Sequence, residues 1–107
     1  MSRSAKRAAD NEDAFRRANE TLELKADELG VAQSRTPYLC ECEQASCTQV
    51  IQLERDEYEA VRSHSRRFVM VPGHQEPQDQ VVREGRGFTV IEKTGEEGAL
   101  VEKLDPR

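Results

Sequence analysis

Three cysteines fall within eight residues of this chain, Cys40, Cys42 and Cys47, in the spacing C-x-C-x4-C. Clustered thiolates are soft ligands, and a structural zinc ion takes four sulfur or nitrogen donors in a tetrahedron, three cysteines with one histidine being a standard set. Two cysteines one residue apart on a turn can face one ion, and the loop Glu43-Gln44-Ala45-Ser46 is long enough to carry Cys47 round to it. The fourth ligand must come from elsewhere in the fold. Of the two histidines, His64 sits in the polar run Ser63-His64-Ser65-Arg66-Arg67 and reads as solvated surface, whereas His74 follows Pro72-Gly73, a turn that leaves its side chain at the end of a strand. The expected metal ligands are therefore Cys40, Cys42, Cys47 and His74, with zinc as the cofactor. His64, a carboxylate of Glu41 or Glu43, or a water are the alternatives for the fourth position.

Competing chemistries fit less well. Free cysteines that act as small apolar residues are scattered and buried, whereas these are crowded into a polar stretch beside Glu41, Glu43 and Gln44. A redox-active thiol group is the second reading, because accessible thiolates oxidise readily. His74-Gln75-Glu76 spells H-x-E, but the zinc deaminase signature places its cysteine pair after that element, and here the cysteines come first. The phosphate-loop, dinucleotide and nucleophile-elbow motifs are absent, and Gly85-Arg86-Gly87 is a hairpin turn rather than a phosphate cradle. A closed four-ligand site leaves no open position for substrate, so no enzymatic activity is expected.

The elements that must hold such a site are short. The chain has 107 residues, of which 36% are apolar and 35% charged, with no tryptophan. Residues 5–29, rich in Ala, Glu, Lys, Arg and Leu and stopped by Gly30, predict a helix whose narrow apolar stripe is Phe15, Ala18, Leu22 and Leu29. Residues 30–37 read as a linker. Beyond them come Val50–Leu53 as a strand, Glu54–Ser63 as a helix with Tyr58 and Val61 facing the core, Arg67–Val71 as a strand, and a hairpin from Val81 to Glu92. The expected organisation is an N-terminal helical arm and linker over 1–36, a zinc-stapled α+β domain over 37–95 and a flexible tail over 96–107. The domain would hold three to five short antiparallel strands with one packed helix. A core built from about 70 residues usually needs such a staple.

The stretch from Pro37 to Glu92 resembles a family of small actinobacterial-type proteins with no established function. The resemblance is carried by Tyr38-Leu39-Cys40-Glu41-Cys42, Cys47, the helix Glu57–Arg62, and Arg67-Phe68 through Pro72-Gly73-His74. It implies that the three cysteines and His74 act as one unit, and it implies no activity.

Charge and hydropathy narrow the function classes. Net charge is −5, with residues 1–35 neutral and all of the excess in residues 36–107. An acidic body repels phosphate backbones, and no run approaches the about 20 apolar residues of a membrane span. Arg62, Arg66 and Arg67 form a local basic cluster that reads as balance for the acidic start of their own helix. The expectation is a cytoplasmic, zinc-stabilised interaction module with a protein partner favoured over nucleic acid, and no membrane association. A zinc-releasing redox sensor is the alternative, and a zinc-dependent enzyme ranks third.

Overall fold

The computed structural model describes residues 4–30 and 35–107. It is an α+β fold in the order α1 (Ala5–Leu29), β1 (Arg35–Leu39), β2 (Val50–Glu54), α2 (Arg55–Arg62), β3 (Arg67–Met70), β4 (Gln80–Gly85), β5 (Phe88–Glu92) and α3 (Gly95–Leu104). The strands form two small antiparallel sheets, a β1-β2 pair and a three-stranded sheet ordered β3-β5-β4. Among the described residues no helix is long and apolar enough to cross a membrane.

Local chemistry sets the element ends. The Ser4 hydroxyl accepts from the Arg7 amide at 3.2 Å to start α1, and Gly30 ends it in the left-handed region at φ 67°, where a side chain would be strained. At the start of α2 the Glu54 amide donates to the Glu57 carboxylate at 2.9 Å, half of a capping box. The β4-β5 hairpin turns through Arg86-Gly87, with Gly85 paired to Phe88 and Gly87 at φ 82°.

The core gathers Tyr38, Leu53, Tyr58, Phe68, Val69, Met70, Ile91 and Val101, all fully buried. Tyr38 from β1 and Tyr58 from α2 stack with ring centroids 4.2 Å apart, which joins the small sheet to α2 through aromatic contact. The expected strands, the short helix and its inward Tyr58 and Val61 are all present.

Two expectations are corrected. The flexible tail predicted for residues 96–107 is instead largely α3, whose Val101 is buried in the core and whose Gly98 approaches the Lys93 carbonyl so closely that a side chain there would collide. Arg35, Thr36 and Pro37, read as linker, belong to β1 and pair with Glu54, Leu53 and Gln52; residues 31–34 of that linker lie outside the described residues.

How α1 packs, which the sequence leaves open, is decided by the tertiary structure. Its apolar stripe does not face the domain: Leu22 is 42% and Leu29 74% exposed, and Phe15 and Ala18 are half-buried. The helix docks instead through Ala8, Ala9, Glu12, Asp13, Arg16, Asn19 and Glu23. The seat beneath it is made of backbone carbonyls and buried charges, so a polar face is the complementary one. Arg16 donates to the carbonyls of Ser65 (2.7 Å) and Val101 (2.8 Å), and Arg17 to that of Leu104 (2.7 Å). Two of those carbonyls lie in the last turn of α3 and have no partner within their own helix.

Candidate metal centre

The first two cysteines stand where the two sheets meet. Past the end of β1, the Cys40 amide continues the ladder to the Gln49 carbonyl at 3.0 Å, and the next amide, Glu41, turns to the Val69 carbonyl of β3 at 2.8 Å. The Val69 amide returns a hydrogen bond to the Glu41 carboxylate at 3.1 Å. Glu41 therefore pairs with Val69 through both its main chain and its side chain, and this fixes the orientation of the cysteines on either side of it. Cys47 comes back through a turn closed by its amide and the Gln44 carbonyl, at 3.0 Å. His74 is aimed by the Pro72-Gly73 turn, in which its amide donates to the Val71 carbonyl at 3.0 Å and Gly73 takes φ 94°, a conformation that favours glycine.

The four ligand atoms, three sulfurs and one imidazole nitrogen, all lie within 4.8 Å of one another. His74 Nδ1 is 3.5 Å from Cys40 Sγ and 3.8 Å from Cys47 Sγ. A tetrahedral zinc with Zn–S of about 2.3 Å and Zn–N of about 2.0 Å sets its ligand atoms about 3.5–3.8 Å apart, so the donor set and both His74–sulfur distances fit that ion. Cys40 also accepts a hydrogen bond from the Val71 amide at 3.2 Å, which favours its thiolate. Between the thiols themselves, the Cys40 S–H donates to Cys42; this holds the Cys42 thiol well below the usual range and, with burial, pushes Cys40 up. Three sulfurs this close do not ionise together without a cation among them.

The alternatives for the fourth position point elsewhere. His64 is exposed and lies outside the cluster. The Glu41 carboxylate is fully buried and accepts from Tyr58, from Asn19 at 2.9 Å and from the Val69 amide. Burial pushes its carboxyl up, and those donors and Arg62 act against the rise. Glu43 turns to the Lys93 ammonium at 3.6 Å. On its open side the centre borders a groove of about 410 Å³, lined by Cys47 and His74 together with Ser46, Thr48, Gln49 and Glu76. Cys40 and Cys42 are buried, while Cys47 and His74 are half-buried.

Sequence reasoning missed the charges around the centre. Lys93 is fully buried, its Nζ lying 2.6 Å from Asp79, 2.8 Å from Glu12, 3.6 Å from Glu43 and 3.9 Å from Glu97. One ammonium thus ties α1, the cysteine loop, the segment after His74 and α3. A lysine at the end of a strand that reads Phe88-Thr89-Val90-Ile91-Glu92 carries no local mark of burial. The basic cluster, by contrast, is internally balanced: Arg62 is buried against Glu20 and Asp105, Arg66 pairs with Glu102 and Arg67 with Glu92. No family model, curated protein or solved structure matches the chain, so this reading rests on its own residues.

Proposed function

We propose that the chain is a zinc-stabilised interaction module whose partner is another protein. The observation that carries it is the convergence of Cys40, Cys42, Cys47 and His74 within 4.8 Å. Zinc held by all four leaves no vacant position for water or substrate, so the ion's contribution is cross-linking: it ties the Cys40–Cys47 loop to the His74 turn and so joins the two sheets. This supports a binding role over an enzymatic one. A protein partner is supported by the exposed leucines of α1: Leu22 and Leu29, 42% and 74% exposed, share one side of the helix, and Leu24, 63% exposed, lies on the other. The net charge of −5 disfavours a phosphate backbone.

Native mass spectrometry of the gently purified protein tests the metal, with one zinc per chain expected and its loss on acidification. Affinity capture with wild type and a Leu22→Ser/Leu29→Ser variant tests the partner, which the variant should release. A metal-free chain, or a partner retained equally by both proteins, overturns the corresponding part of the reading.

The half-buried Cys47, open to the groove, favours a second reading as a peroxide-responsive switch. Two thiolates and hydrogen peroxide, with two protons, would give a disulfide and two waters and eject the ion. Release of zinc by micromolar peroxide supports this reading; retention except under harsh oxidation removes it.

A further inference from the structure

We propose that metal occupancy and the docking of α1 are one coupled equilibrium, the Cys3His centre acting as a clasp whose opening loosens the N-terminal helix. This rests on the metal reading above and concerns how the same site is regulated.

The docked face of α1 is unusual in what it lacks. Apart from Ala8 and Ala9, its buried residues are polar or charged. Little hydrophobic adhesion holds the helix down, and its docking depends on hydrogen-bond partners being in place. Such contacts weaken steeply with small displacements, unlike apolar contacts, which tolerate sliding.

Many of those partners belong to the short strip of chain that carries Cys40 and Cys42. The Asn11 side-chain Nδ2 donates to the Glu43 carbonyl at 2.8 Å. Asn19 makes three bonds: its Nδ2 donates to the Leu39 carbonyl at 3.0 Å and to the Glu41 carboxylate at 2.9 Å, and its Oδ1 accepts from the Leu39 amide at 2.8 Å. Glu12 reaches the same strip through Lys93, which also faces Glu43. Leu39, Glu41 and Glu43 alternate with Cys40 and Cys42, so an ion that pins the two sulfurs also pins the three residues that grip α1. Lys93 further holds Asp79, five residues after His74. The ligand loops on both sides of the ion therefore converge on the helix.

A second set of contacts bypasses the centre. Arg16 and Arg17 reach Ser65, Val101 and Leu104, and Glu20 reaches Arg62. Removing the ion thus loosens α1 without abolishing every hold on it. The helix that comes loose carries Leu22, Leu24 and Leu29 with it, so the surface offered to a partner changes with metal occupancy. Coupling of this kind is reciprocal: whatever factor the metal adds to docking, docking adds to metal affinity.

Hydrogen exchange of the full chain, read by mass spectrometry with zinc and with excess chelator, is the direct test. Amides of residues 11–23 should exchange at least tenfold faster without zinc, a larger loss of protection than that of β3, β4 and β5. Asn19→Ala should bind one zinc with an affinity lowered about tenfold, measured by competition with a chromophoric chelator, as is usual for partners that orient ligands. If Asn19→Ala does not fold, Asn11→Ala, which removes a single half-buried bond, should show a smaller loss of the same kind. Unchanged α1 protection on zinc removal overturns the coupling, as does undiminished affinity in the variants. So does a loss of protection of equal size in α1 and in β3, β4 and β5, because the metal would then hold the whole fold rather than the helix. A chain that binds no zinc at all is a different failure, of the metal reading itself.

Discussion

Asn19 on α1 donates a 2.9 Å hydrogen bond to the carboxylate of Glu41, the residue that stands between Cys40 and Cys42. The same carboxylate accepts from Tyr58 on α2 and from the Val69 amide on β3. One buried side chain thus gathers a helix, a second helix and a strand around the point where two candidate metal ligands leave the sheet.

Tyr58→Phe removes one of the donors to Glu41 without changing the shape of the Tyr38–Tyr58 stack. Hydrogen bonds contribute about 0.5–1.5 kcal/mol to a neutral carboxyl and about 1.5–3 kcal/mol to a charged one, so urea unfolding should show a loss of about 0.5–3 kcal/mol whose size reports the charge on Glu41. Weaker zinc binding should accompany it, because Glu41 orients both neighbouring cysteines. A loss below about 0.5 kcal/mol, within the range of ordinary surface substitutions, would show that Asn19 and Val69 alone satisfy the carboxylate.

His74→Ala should lower zinc affinity sharply and depress the melting temperature, whereas His64→Ala, at an exposed position away from the cluster, should leave both unchanged. Chelator added to wild type should reproduce the His74→Ala melting curve, since the binding free energy of a structural zinc is folding free energy. Equal effects from the two histidine variants would remove His74 from the ligand set.

Lys93→Met should cost about 3–5 kcal/mol, the usual consequence of leaving buried charges without their counter-ion. Four carboxylates stand within 3.9 Å of its Nζ, and three of them, on Glu12, Asp79 and Glu43, are at most 5% exposed. A soluble, folded variant with wild-type stability would show that these carboxylates are neutral in the folded protein.

Glu12 gives the cluster a pH signature. Burial raises its carboxyl from 4.5 to about 8 against the pull of Lys93, with Asp79 and Glu43 adding to the rise. Between those values the folded chain holds a proton that the unfolded chain has lost, so this group's stabilisation is complete below about pH 4.5 and fades as pH rises through about 8. With zinc saturating both proteins, the unfolding free energy of wild type should fall relative to Glu12→Gln between pH 5 and pH 9. A flat difference across that window would mean that the Lys93 ion pair keeps Glu12 ionised throughout.

Gly85→Val should destabilise the hairpin. A Cβ at position 85 would lie 2.1 Å from the ring edge of its cross-strand partner Phe88, which is 4% exposed and has Arg83 stacked 5.6 Å from its centroid. Overpacking of this kind costs about 1–3 kcal/mol, readable as a lower urea midpoint. An unchanged midpoint would show that the Phe88 ring moves aside freely.

The sequence by itself determined what is local. Gly30 ends α1, Gly87 allows the hairpin turn, and Tyr58 and Val61 share the inner face of α2, because caps, turns and helical periodicity act over a few residues. Candidate ligand chemistry is equally local: C-x-C-x4-C marks a loop positioned to hold a metal, and the Pro72-Gly73 turn favours His74 over His64 as its fourth ligand. Tertiary structure decided what depends on distant partners. The helix α1 turns its leucines outward because the seat it meets consists of carbonyls from residues 39, 43, 65, 101 and 104 and the buried charges of Glu41 and Lys93, none of which its own periodicity can report. Gly95–Leu104 reads as a polar tail until Arg16 and Arg17 bind its last carbonyls and the core takes Val101. A buried charge is stable only beside its counter-charge, and for Lys93 those lie on α1, the cysteine loop, the segment after His74 and α3, up to 81 residues away in Glu12.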